Sequence, residues 1–285
     1  MNNRNLIRFD WAIKRLLRNK ADYFVLEGFL SELLREDIII QNILESESNQ
    51  RADTDKFNRV DLLVKNSKDE LLIIEIQNQS EYDYFHRMAY GTSKVISEYI
   101  SVGEPYVNLR KVFSINIVYF DLGQGEDYVY HGKNDFIGIH KFDKLMLSER
   151  QTEILGKAEP SQIFPEYYVI KVNQFNDIAK DSLDQWIYYL KNNEIKDEFN
   201  ARGIDRAREL WRVDKLSYED QKNYNRHLED LRYGASMAWT MKADAEYNIR
   251  KEEKLKLALG LKNRGFGNHQ ISELTGLTSD EIDEL

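Results

Sequence analysis

Two acids stand in awkward places in the stretch FNRVDLLVKNSKDELLIIEIQNQ, residues 57–79: Asp61 heads one apolar run and Glu75 sits inside the next, with Gln77 two residues further on. Burying an unpaired carboxylate in a run such as Leu71–Ile76 costs on the order of several kcal/mol or forces its protonation. The two runs flank Lys65–Glu70, a polar turn, and so read as a hairpin. With that turn centred on residues 66–69, antiparallel pairing sets Asp61 opposite position 74, within a residue of Glu75. Two carboxylates so placed repel unless a cation lies between them. Oxygen donors of this kind hold magnesium, manganese or calcium in preference to zinc. Glu75 and Gln77, two apart on a strand, leave from the same face. The same residues also admit a plain reading, in which Glu75 closes an exposed strand face and pairs with a nearby lysine or arginine.

The composition removes other chemistries. There are no cysteines, so thiolate metal sites and cysteine nucleophiles are out, and the five histidines show no metal-binding spacing. The stretch Gly123-Gln124-Gly125-Glu126 has neither dinucleotide-binding nor P-loop spacing and reads as a turn. A net charge of −9 argues against coating nucleic acid through bulk electrostatics, though not against a local basic cleft. The first residues lack the apolar segment of a signal peptide and no run is long enough to span a membrane, so a cytoplasmic protein with no membrane partner is expected.

The elements that must position the acids follow from periodicity. Helices are expected at 9–19 and 22–35, a strand at 38–44, a loop at 46–56, hairpin strands at 60–64 and 71–76, and a long helix at 81–101. Buried or partly buried strands are expected at 111–120, 128–130, 136–142 and 167–172. This order makes an α/β fold with helices covering a mixed sheet. From about residue 178 the pattern is helical: 180–191, 204–214, a long helix at 217–263, then short helices at 268–275 and 279–285. The expected division is therefore 1–175, a helical extension at 176–264, and a tail at 265–285. The tail has a helix-turn-helix shape, yet residues 271–285 hold five acids and no lysine or arginine, so phosphate contacts would come from the basic turns at 250–264. Packing within the chain, or dimer formation through the long helix, is an equal alternative.

Several short pieces, taken in order, resemble a known family. These are Arg59-Val60-Asp61-Leu62-Leu63, Ile74-Glu75-Ile76-Gln77 and Phe85-His86-Arg87-Met88-Ala89-Tyr90. The opening Asp10-Trp11-Ala12-Ile13-Lys14-Arg15-Leu16-Leu17 and the closing Ile271-Ser272-Glu273-Leu274-Thr275-Gly276-Leu277-Thr278 belong with them. Together they resemble the PD-(D/E)XK nuclease superfamily, and within it the transposase-like branch that includes the recombination-promoting nucleases. The resemblance is densest over residues 8–121. It implies a restriction-endonuclease-like core and a metal-dependent endonuclease that hydrolyses DNA phosphodiesters. Asp61 and Glu75 would bind magnesium, or manganese, with the backbone carbonyl of Ile76 as a further ligand.

The superfamily's motif lysine is Gln77 here, which can orient a water but carries no charge. Either Lys14, Arg87 or Lys94 supplies the cation, or the domain binds DNA or another protein without cutting. Glu27 is a candidate third acid, with a solvated helix glutamate as its bland reading. Arg87 likewise reads as an arginine snorkelling beside Tyr82, Tyr84 and Tyr90, and those tyrosines read as packing residues before base-stacking platforms. Cutting both strands with one site per chain would call for a homodimer. The residues that would grip nucleic acid are not identified by the sequence.

Overall fold

The computed structural model describes residues 6–15, 23–46 and 61–285, and the counts and absences below refer to these. The far end of the first expected helix, the residue 22 cap, most of the loop expected at 46–56, and Arg59 and Val60 lie outside them. The chain divides into two compact units, Met1–Gln221 and Lys222–Leu285.

The first unit opens with α1 (Phe9–Arg15) and α2 (Tyr23–Leu34). Helix α2 buries Val25, Leu26, Phe29, Leu30 and Leu33. It ends where Arg35 turns left-handed, at φ 55°. Two α2 side chains then fasten the incoming strand: Ser31 Oγ accepts from the Ile38 amide at 3.0 Å and Glu27 Oε1 from the Ile40 amide at 2.7 Å. Strands β1 (Ile40–Ser46), β2 (Leu62–Asn66) and β3 (Leu71–Gln77) follow as an antiparallel meander. Asn66 makes the β2–β3 turn, its Oδ1 accepting from the amides of Lys68 and Glu70 while Asp69 takes φ 62°.

Helix α3 (Tyr84–Glu98) crosses over to β4 (Val112–Val118), which lies parallel to β3 and is buried along its whole length. Then come β5 (Val129–Gly132), α4 (Glu149–Leu155) and β6 (Glu166–Lys171), giving a mixed six-stranded sheet in the order β1-β2-β3-β4-β6-β5. Helix α3 covers one face. Tyr84 and Met88 pack with Val118 and Val169, and Val95 packs with Leu63 and Ile73. Helices α5 (Ser182–Asn192) and α6 (Ile204–Leu210) complete an aromatic cluster with the N-terminal helices. Phe9 lies 5.2 Å from Phe29 and 5.7 Å from Trp211 between ring centroids, edge to face, and Trp186 and Tyr189 close the group. The backbone joins in: Ile7 donates to the Trp211 carbonyl at 2.7 Å, and the Tyr189 hydroxyl donates to the Ile7 carbonyl at 2.5 Å. Gly28 and Gly203 let α2 meet the start of α6, since a Cβ on Gly28 would lie 2.2 Å from the Arg202 carbonyl oxygen.

The second unit holds most of α7 (Tyr218–Lys262), with α8 (Asn268–Thr275) and α9 (Ser279–Asp283) folded onto its end. Ala258, Ile271, Leu277 and Ile282 form its core. Thr278 caps α9 in a reciprocal box with Glu281, and Gly276 ends α8 at φ 69°.

The mixed sheet with flanking helices and a helical C-terminal region is the architecture the periodicity implied. One detail differs. Residues 136–142 are not a strand: an isolated Ile137–Lys144 bridge stands in a loop with Phe142 at φ 56°, and Ile137, Ile139 and Phe142 are exposed. That segment has strand-like side chains but forms only the single bridge. The compact units meet at residue 221, and Trp186, Tyr189 and Trp211 pack into the N-terminal helices. Residues 268–283 share a core with Ala258 of α7.

Candidate active site

The hairpin register decides where the two acids meet. The last ladder pair is Leu62 with Ile74, so the next step sets Asp61 across from Glu75. There the ladder gives way to a side chain: Asp61 Oδ2 accepts from the Ile76 amide at 2.7 Å. On the other edge of β3, the Gln77 carbonyl accepts from the Tyr119 amide at 2.9 Å. Backbone groups alternate edges along a strand, so the Ile76 carbonyl, like its N–H, faces the Asp61 side. Asp61, Glu75 and the Ile76 carbonyl thus converge at one end of the hairpin.

Glu75 is largely buried and lies beside Asn116, its register partner on β4. Burial pushes its carboxyl up to about 8, and the Asp61 charge adds to this, while Arg87 and Lys14 pull in the other direction. The cations are close. Lys14 Nζ lies 2.9 Å from Asp61 Oδ1, and the Arg87 guanidinium lies 3.8 Å from Glu75 and 2.8 Å from Glu81. Gln77 does not point into open space; its amide donates to Glu81 Oε1 at 2.6 Å, so Glu81 ties Gln77 to Arg87.

Other residues expected near the site fall elsewhere. Lys94 pairs with Glu98 along α3. Glu27 serves the Ile40 amide, at the Asn66 end of the β1–β2 pair, whereas Asp61 precedes the Leu62 end. Four residues of strand, about 13 Å, separate those ends. Tyr84 is buried, its hydroxyl donating to Asn116 Oδ1 at 3.1 Å, which agrees with a packing role. Tyr82 and Tyr90 are exposed, the first completely, and Phe85 is 54% exposed.

Several neighbours escaped the sequence reading. The Asn116 amide donates to Ser114 Oγ at 3.0 Å and the Tyr168 carbonyl at 3.3 Å. With Glu75, Tyr84 and Arg87, these residues line a cavity of about 20 Å³, room for one water. The signal was present, since Ser114 and Asn116 interrupt an apolar strand as Glu75 does. Arg8 bridges Asp10 at 3.2 Å and Asn78 at 3.3 Å just beyond Gln77, and stacks on Tyr119. Nothing in local spacing pairs residue 8 with residue 78.

The acid pair and its flanking cations thus lie together at one end of the β2–β3 hairpin. The family described as PD-(D/E)XK nuclease family transposase matches residues 7–237. The chain belongs to that family. Its nuclease or transposase-like role follows from the match. No curated protein and no solved structure matches the chain. The match takes in α1 through the first turns of α7 and every strand of the sheet, so the whole candidate site lies within the family's span.

Proposed function

We propose that the chain is a metal-dependent endonuclease that hydrolyses DNA phosphodiester bonds at the Asp61–Glu75 site. The observation that carries this reading is the meeting of two carboxylates of like charge at a strand end, one raised to about 8 by burial and by the other. The donor set suits a small hard cation. Among the described residues no three acids or histidines form a metal-binding cluster, which leaves two carboxylates and the Ile76 carbonyl. Magnesium accepts such a sparse set because it keeps several waters, and manganese resembles it. Bound there, the ion would polarise the scissile phosphate and lower the pKa of an attacking water.

The protein's own groups take the remaining tasks. Lys14 approaches the acids from α1 and supplies the positive charge that Gln77 cannot. The carboxamide of Gln77, held by Glu81, has an oxygen with which to orient a water. Arg87 offsets Glu75 and Glu81. One site per chain cuts one strand, so a double-strand break requires two copies.

Plasmid cleavage with magnesium or manganese tests the reading, comparing the parent with Asp61→Asn and Glu75→Gln. A loss of about 10²–10³-fold in each variant is expected. Equal cutting by the variants, or an inert parent, sinks it. One observation favours the alternative of a binding protein that does not cut: Asp61 already engages Lys14 and the Ile76 amide. An inert parent that still binds DNA would select that alternative.

A further inference from the structure

We infer that the exposed aromatic side chains around the start of α3 form a stacking platform for unpaired bases, so that the substrate is DNA with single-stranded character at the cut. This rests on the nuclease reading above and names its substrate class.

Helix α3 divides its faces sharply. Tyr84, Met88, Thr92 and Val95 are buried against the sheet, and Arg87 and Gly91 border the Glu75 cavity. Phe85, His86, Ala89, Tyr90 and Ser93 are exposed, with Phe85 on one flank of the buried stripe and Tyr90 about 140° away from Phe85. Tyr82, in the turn before the helix, is exposed completely. A ring on water at one position needs no explanation; two exposed rings, Tyr82 and Phe85, at the start of one helix with Tyr84 buried between them call for one.

The place of these rings says what they meet. Glu81 is held by both Gln77 and Arg87 at the acid pair, and Tyr82 is the next residue, its Cα about 3.8 Å further on. Phe85 stands one turn along, beside Gly123 in the loop after β4. A strand with its phosphate at Asp61 and Glu75 would therefore lay its flanking bases over Tyr82 and Phe85. The charges support stacking over phosphate contact. The nearest cations, Lys14, Arg87 and Lys94, are each paired with an acid, and the chain carries −9 overall. Counterion release thus contributes little, whereas stacking on aromatic rings tolerates any sequence and any net charge. Bases inside a duplex present no faces to stack on.

The test is binding by the full chain without divalent metal, by fluorescence anisotropy, to a labelled thymidine oligomer and to its blunt duplex. The single strand should bind tighter. Tyr82→Leu and Phe85→Leu, which keep an apolar side chain but lose the ring, should each weaken it about ten-fold and leave the duplex unchanged. Tyr82→Trp should restore binding. A 2-aminopurine in the strand should be quenched by the parent and not by the leucine variants. Unchanged affinities, or equal losses on both substrates, overturn the platform. The two readings fail separately: ring-dependent single-strand binding by a chain that never cuts sinks the nuclease, and ring-independent binding by a chain that cuts sinks the platform.

Discussion

At the scale of single residues, Gln77 stands where the superfamily's motif carries a lysine, and the proposed site draws its positive charge from another element. Lys14 reaches the acid pair from another element, 2.9 Å from Asp61. A Lys14→Met variant should therefore lose about 10²-fold in cleavage rate under saturating metal, the loss typical of one stabilising group. Adding Gln77→Lys to that variant should recover part of the rate, since β3 then regains a cation at the motif position. A silent Lys14→Met, read in single-turnover kinetics, would move the charge-bearing role to Arg87. The acids themselves were legible because Glu75 interrupts the continuous apolar run Leu71–Ile76 and the hairpin turn sets Asp61 across from that position. Arg8 and Asn78 were not legible, because their hydrogen bond spans 70 positions and neither sits in a run whose pattern it breaks.

At the scale of elements, the sheet depends on ties that local propensity does not describe. Lys111 at the head of β4 donates to Glu166 Oε1 at 2.8 Å and to the carbonyls of Ser161 and Phe164, while His131 on β5 reaches Glu166 Oε2 at 2.7 Å. Burial pushes the Glu166 carboxyl up, but the hydrogen bonds from Lys111 and His131 outweigh it and hold the group below its ordinary value. A carboxylate lowered in the folded state contributes stability that is present above its unfolded pKa, about 4.3. That contribution is lost as pH falls through the folded value. Urea midpoints should therefore fall more steeply below about pH 4.3 in the parent than in Glu166→Gln. At neutral pH the same variant should cost about 2 kcal/mol or more, because the buried Lys111 loses its charge partner. A parent and variant with the same acid slope would show that the tie carries no charge. Helix contacts are as exacting: Gly28→Ala drives a methyl into the Arg202 carbonyl and should cost about 1–3 kcal/mol, measured by thermal unfolding. Element types and order were readable because each strand or helix carries its own period. Residues 136–142 carry the strand propensity of Phe136, Ile137 and Ile139 yet make only one isolated bridge, because pairing is not a local property.

At the scale of the molecule, the two units hold separate cores. Ile282 is buried with Ala258, Ile271 and Leu277, and Lys262 donates to its carbonyl at 2.8 Å. Ile282→Ala should cost that small core about 2–4 kcal/mol. Hydrogen exchange should then show amides of 268–285 opening while β3 and β4 keep their protection; loss of protection in the strands would mean the cores are not separate. Other aspects of the whole were less visible in the sequence. The large rings at 186, 189 and 211 belong to the same core as Phe9 and Phe29. Composition cannot tell which buried face a tryptophan fills.

The closure of Ile7 onto Trp211 also sets an order in time. As the chain leaves the ribosome at about 5–20 residues per second, the hairpin with Asp61 and Glu75 emerges well before the residues that seat α1. Helix α1, which carries Lys14, packs on Phe29 early and gains its remaining ring neighbours only when Trp186, Tyr189 and Trp211 have appeared around Phe9. A nascent chain thus carries its acids before the packing behind Lys14 is complete. On the proposed reading, the site reaches its final form only after Trp211 has been made.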